Sequence, residues 1–171
     1  SLTVITNSMR AIEQIYDVTD ITLISPGGTL SIESMIAGGG DLSFVGPITI
    51  ATLRGFRPSR AFISTSGITV EDSISDASLL QIEVKRALID IADKVILITD
   101  HTKFGRVSGF IVAGLETIDT IITDTAAPRD DVERLCDLGI EVILVEPAHK
   151  PLPLRTPALS SGRACMTAVT G

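Results

Sequence analysis

The sequence predicts an α/β fold with a mainly parallel sheet flanked by helices, and three observations predict it. Short runs rich in β-branched residues recur along the chain, helical patterns alternate with them, and the runs are apolar on both faces. Strands covered by helices on each side need that double-sided apolarity, whereas a sandwich or barrel of hairpins shows polar and apolar positions in strict alternation.

The strand-like runs are residues 2–6, 21–25, 61–64, 95–99, 120–123 and 141–145. The clearest helical pattern covers 77–92, where Leu80, Val84, Ala87, Leu88 and Ile91 form one stripe and Asp76 stands where it can cap the first turn. A second helix is marked by Pro128 near its start, by Asp130, Asp131 and Glu133 beside the positive end of the helix dipole, and by Gly139 just past its end. Shorter helices are expected over 9–16 and 47–54. After Glu146 the periodicity stops, and Pro147, Pro151, Pro153 and Pro157 follow among Ser, Gly and Arg. Residues 148–171 are therefore expected to form a poorly ordered tail behind one domain over 1–147. The Gly38 to Gly40 triplet is the one low-complexity feature.

A chain of 171 residues with 44% apolar content can bury one substantial core. Its mean hydropathy is +0.41, yet no apolar run approaches the roughly 18 residues of a membrane-spanning helix. Two cysteines, Cys136 and Cys165, and no signal-peptide pattern fit a reducing cytoplasm. A net charge of −7 argues against this chain gripping a phosphate backbone by itself. The sequence opens at Ser1, without Met and directly ahead of a strand-like run, which points to a piece of something longer.

In wound α/β sheets ligands gather at the carboxyl ends of strands. Thr6-Asn7-Ser8 ends the first run with hydroxyl and amide groups at a helix N-terminus, suited either to an anion or to ordinary capping. Ser25-Pro26-Gly27-Gly28-Thr29 ends the second, where glycines serve a turn or a close approach to a ligand. It matches neither a Walker A loop nor GxGxxG, so no ATP or NAD site is expected. Ser64-Thr65-Ser66-Gly67-Ile68 ends the third. Asp100-His101-Thr102-Lys103-Phe104-Gly105 ends the fourth, with a carboxylate suited to sugar hydroxyls and an ammonium suited to phosphate, or else a solvated ion pair. His101 stands alone near these ends, because His149 falls in the tail, so neither a metal site nor a Ser-His-Asp triad has material to form.

In this order, Thr6-Asn7-Ser8, Gly27-Gly28, Phe62 with Ser66-Gly67-Ile68, Glu83-Val84-Lys85-Arg86 and Asp100 to Gly105 resemble the C-terminal sensor domain of DeoR-family transcription regulators. The likeness covers about 2–145. It departs at Ser64-Thr65-Ser66-Gly67, where family members often carry a GAxG-like segment, and in the Pro-rich tail. The resemblance implies a Rossmann-like fold similar to ribose-5-phosphate isomerase-type domains, binding a phosphorylated sugar or related metabolite, without cofactor, metal or catalysis. It implies an effector pocket drawn from Thr6, Asn7, Gly27, Gly28, Gly67, Glu83, Lys85, Asp100 and Lys103, with Lys103 on the phosphate. Operator DNA would be held only by an N-terminal winged helix-turn-helix domain absent from this chain, in a cytoplasmic homo-oligomer that acts as a repressor. The alternatives are a sugar-phosphate isomerase, with Glu83 or Asp100 as general base, and a pure oligomerisation module.

Overall fold

A computed structural model describes residues 2–31 and 42–146. The Gly38 to Gly40 triplet and the Pro-rich tail lie outside the described residues. The chain opens with β1 (Leu2–Ile5), α1 (Met9–Ile15) and β2 (Ile21–Ile24), and the two strands pair in parallel. Ser8 caps α1 by accepting from the Ala11 N–H at 3.1 Å. Next come β3 (Thr29–Ser31) and β4 (Ser43–Val45), an antiparallel pair, and α2 (Pro47–Leu53), which starts on its proline.

β5 (Ala61–Ser64), β8 (Val95–Ile98), β10 (Thr120–Asp124) and β11 (Glu141–Val145) form a four-stranded parallel sheet in the order β11-β10-β8-β5. Three further strands, β6 (Gly67–Ile68), β7 (Ser73–Asp76) and β9 (Phe110–Gly114), make a separate antiparallel sheet in the order β6-β7-β9. The longest helix, α3 (Leu79–Ile91), connects β7 to β8, and α4 (Arg129–Asp137) connects β10 to β11. The fold is mixed α/β around a mostly parallel central sheet, with four α-helices among the described residues.

The register decides which sheet face carries the core. Ile63, Leu97 and Ile121 lie in one row across β5, β8 and β10, and all three are buried against Ile68, Ile74, Ile82 and Leu135. Each such side chain contributes about 1.5–3 kcal/mol by leaving water. A second cluster joins Val45, Leu53 and Val84 to Ile5, Ile50 and Leu88, so α3 also underlies β1.

α3 starts two residues later than its pattern predicts. Ser78 is the cap, accepting from the Gln81 N–H at 3.4 Å, because the Asp76 carboxylate is engaged elsewhere. Two glycines owe their identity to packing. Gly28 has φ +112°, and a Cβ there would meet Thr49 Oγ1 at 2.2 Å. A Cβ on Gly67 would meet the Arg106 carbonyl oxygen at 2.3 Å.

Candidate functional site

The carboxyl ends of β1 and β5 and the N-terminal half of α3 enclose a cleft of about 720 Å³, within the usual range for metabolite sites. Its mouth is lined by Thr6, Asn7, Ser43, Ser66, Asp76 and Lys103, and its lower walls by Phe62, Ile63, Val84 and Leu88. Asn7 is fixed by donating from Nδ2 to the Phe44 carbonyl at 3.0 Å. Gln81, also lining the cleft, donates to the Ser43 hydroxyl.

Asp76 and Lys85 form an ion pair in the wall, with only 11% and 13% of their side chains exposed. The Lys85 ammonium also donates to the Ser64 carbonyl at 2.8 Å. The Asp76 carboxylate accepts from the Ala77 N–H at 2.7 Å and the Ser66 hydroxyl at 3.1 Å. Burial pushes this carboxyl up, but the Lys85 charge and these hydrogen bonds outweigh it and hold Asp76 below the ordinary carboxylate range.

Lys103 is placed by the turn before it. A short 3₁₀ turn spans His101–Lys103, with Asp100 as its cap, accepting from the Thr102 N–H at 2.8 Å and from the Thr102 hydroxyl. The Thr102 hydroxyl bond is the main reason that Asp100 is held below its ordinary value. Asp124, at the end of β10, accepts from the His101 N–H at 2.8 Å, and His101 Nδ1 lies 2.9 Å from the same carboxylate. The His101 N–H leads the causes that lower the Asp124 carboxyl, with burial opposing it. Tied at both ends, the turn presents Lys103 to the cleft, and no carboxylate among the described residues forms an ion pair with it.

Of the nine residues expected in the pocket, Thr6, Asn7, Lys85 and Lys103 line this cleft together. Gly27 and Gly28 turn against α2, where Thr49 Oγ1 donates to the Gly27 carbonyl at 2.6 Å. Gly67 packs on Arg106. Glu83 lies outside the lining, on the surface of α3, 3.2 Å from the Arg86 guanidinium, which in turn donates to the Ile111 and Val112 carbonyls of β9. Asp100 also lies outside the lining, so neither general base of the isomerase alternative faces the cleft. Asp76, Ser43, Ser78 and Gln81 line it without having been expected there. Only Asp76 carried a signal, as an acidic residue placed to cap the helix that follows it.

A second cleft of about 630 Å³ lies at the opposite ends of β8, β10 and β11, among Glu71, Asp72, Glu116, Asp119 and Glu141 with Lys94. Glu71 is paired with Arg134 at 2.8 Å, and the other four carboxylates facing one ammonium repel an anionic ligand. Among the described residues, no helix is long and apolar enough to cross a membrane, and no group of side chains is arranged to hold a metal ion.

Comparison with known proteins agrees with the resemblance. The chain is 33% identical over 144 residues to the HTH-type transcriptional regulator YulB of Bacillus subtilis, covering 84% of this chain and 53% of that protein. It is 29% identical over 140 residues to a putative aga operon transcriptional repressor of Escherichia coli O157:H7, covering 82% and 49%. To the glycerol-3-phosphate regulon repressor of Escherichia coli K12 it is 26% identical over 144 residues, covering 84% and 54%. The chain thus spans about half the length of the curated relatives it matches. The family model described as the DeoR C terminal sensor domain matches residues 1–125, and the chain belongs to that family of transcriptional regulator domains.

Proposed function

We propose that the mouth of the larger cleft is the effector pocket and that the effector is a phosphorylated sugar or a closely related phosphorylated metabolite. The observation that carries this reading is Lys103, a half-buried residue held at the cleft by a braced turn, whose ammonium forms no salt bridge among the described residues and feels a carboxylate charge only from Asp100 beside it in the turn. The other ammonium, Lys85, is neutralised by Asp76. A phosphate dianion restores the balance at Lys103, and the hydroxyls and amides of Thr6, Asn7, Ser66 and Gln81 suit the hydroxyls of a sugar. The acidic cleft at the other end of the sheet offers no such complement.

In this reading the domain spans 1–147, is related in fold to ribose-5-phosphate isomerase-type domains, and binds without turning its ligand over. It acts in a cytoplasmic homo-oligomeric repressor whose DNA contacts come from an N-terminal winged helix-turn-helix domain. The glycerol-3-phosphate regulon repressor among the relatives bears a name consistent with a phosphorylated effector. Effector binding changes operator affinity only by its difference in affinity for the two states of the regulator.

Isothermal calorimetry against sugar phosphates, with the unphosphorylated sugars as controls, tests this directly. One phosphate should bind selectively, and Lys103→Ala should weaken it about 10- to 150-fold, the loss of one charge-assisted hydrogen bond. Unchanged affinity in the variant removes Lys103 from the site, and interconversion of aldose and ketose phosphates by the wild type would sink the sensor reading.

A further inference from the structure

The N-terminal end of the central sheet carries two patches of opposite charge side by side. At the starts of β8, β10 and β11 the second cleft holds Asp72, Glu116, Asp119 and Glu141, and none of these four carboxylates forms a salt bridge among the described residues. Ahead of β5, Arg54, Arg57 and Arg60 fall within residues 54–60, and all three are exposed. Arg57 is paired with Asp93 at 3.3 Å, yet 85% of its side chain still meets solvent, and neither Arg54 nor Arg60 forms a salt bridge among the described residues. The arginine segment is fixed in place, because its Pro58 carbonyl accepts from the Asp93 N–H at 3.0 Å and the Ala61 N–H donates to the Lys94 carbonyl at 2.8 Å. Lys94 itself lines the acidic cleft, so the two patches adjoin.

We infer that this end of the sheet is a self-complementary interface, on which a second copy of the chain sits with its arginine segment over the acidic cleft. A two-fold axis lying in the surface between the patches carries each copy's arginines over its partner's carboxylates, so both contacts form at once. The floor of the cleft suits that occupant. Val70, Leu115, Ile118 and Ile140 are buried along it, and Leu138, 60% exposed, also lines it. An arginine lays its apolar stem along such a floor while its guanidinium reaches the carboxylates of the rim.

The charge pattern selects a second copy over other occupants. DNA would meet the arginines, but its phosphates would also meet the acidic half, which repels them. Residues 147–171 carry His149, Lys150, Arg155 and Arg163 and no Asp or Glu. They follow β11, however, at the other end of the sheet from the acidic cleft, and a tail in the cleft would leave Arg54 and Arg60 uncompensated. A second copy neutralises both patches. It also leaves the effector cleft open, since that cleft lies at the carboxyl ends of the strands.

This inference rests on the homo-oligomeric reading above and names its surface, and the two fail differently. Sedimentation velocity of this chain should show a monomer–dimer equilibrium whose Kd rises about tenfold or more between about 50 and 500 mM NaCl. Arg57→Glu with Arg60→Glu, and separately Glu116→Arg with Glu141→Arg, should each abolish the dimer at low salt through like-charge contact. Mixing the two variant proteins should restore a heterodimer, because each then meets opposite charge at both contacts. Circular dichroism checks that both are folded; if a charge reversal unfolds the chain, Arg60→Gln and Glu116→Gln remove the same charges without reversing them and should weaken the dimer. A dimer untouched by these variants overturns this surface while leaving the homo-oligomer standing. A chain that stays monomeric up to about 100 µM at low salt overturns the inference outright. So does a mixture that fails to associate, or a dimer that forms only once residues 147–171 are removed, which assigns the acidic cleft to the tail.

Discussion

Lys85→Met tests whether the cleft wall is as tightly built as its geometry indicates. The substitution keeps the length and apolar stem of the side chain but removes the ammonium that faces Asp76 and the Ser64 carbonyl. An exposed pair would contribute about 0–1 kcal/mol. Here both side chains are nearly buried, at 13% and 11% exposure, so the variant leaves a carboxylate buried without its counter-charge, a change that costs about 3–5 kcal/mol. The lower end applies, because the Ala77 N–H and the Ser66 hydroxyl still hold Asp76. A loss of about 3 kcal/mol lowers Tm by about 6–12 °C for a chain of this size. Urea and thermal denaturation followed by circular dichroism at pH 7 measure both quantities. In the double variant with Asp76→Asn the two losses should fall short of additive by about 1 kcal/mol or more. A single-variant loss under about 1 kcal/mol, with full additivity, would refute the buried pair.

Acid should weaken the fold in a defined window. Asp76, Asp100 and Asp124 are all held below the ordinary carboxylate value in the native state, so the unfolded chain binds protons first as pH falls. Their stabilisation is complete above about pH 5 and is lost progressively as pH falls below about 4 through the lowered native values, and urea midpoints across pH 2–7 that stay flat would contradict it. Thr123→Val should stabilise by about 1 kcal/mol in chemical denaturation, because the Thr123 hydroxyl is buried without a hydrogen-bond partner among the described residues. Gly67→Ala should destabilise by about 1–3 kcal/mol, since its Cβ would sit 2.3 Å from the Arg106 carbonyl oxygen; a neutral result would show that the Arg106 loop yields freely.

The parallel strands were legible because their chemistry is local. Runs such as Val95–Ile98 and Thr120–Asp124 carry β-branched residues on both faces, and burial on both faces follows from the run itself. The three-stranded antiparallel sheet was not. β7 reads Ser-Ile-Ser-Asp, which has no apolar periodicity on its core-facing serines, yet all four residues are buried. Ser75 is satisfied there by the Ser108 N–H at 2.9 Å, 33 residues on, and by the Gly67 carbonyl of the neighbouring strand at 3.3 Å. β9 carried a readable signal in Phe110-Ile111-Val112, an aromatic and two β-branched residues preceded by Gly109.

That unforeseen sheet explains why motif residues divide between the cleft and the scaffold. β7 ends on Asp76 and delivers its carboxylate to Lys85, while β9 is clamped to α3 by Arg86 through the Ile111 and Val112 carbonyls. Four consecutive residues of α3 thus have four jobs: Glu83 orients Arg86, Val84 packs beneath β1, Lys85 neutralises Asp76, and Arg86 docks the sheet. Asp100 and His101 likewise spend their polar groups on Thr102 and Asp124 so that Lys103 is carried on a rigid turn. A motif read from sequence mixes residues that touch a ligand with residues that aim them, since both are chemically constrained. Only tertiary hydrogen bonds separate the two, and here they leave one ammonium, Lys103, at the cleft without a salt bridge among the described residues.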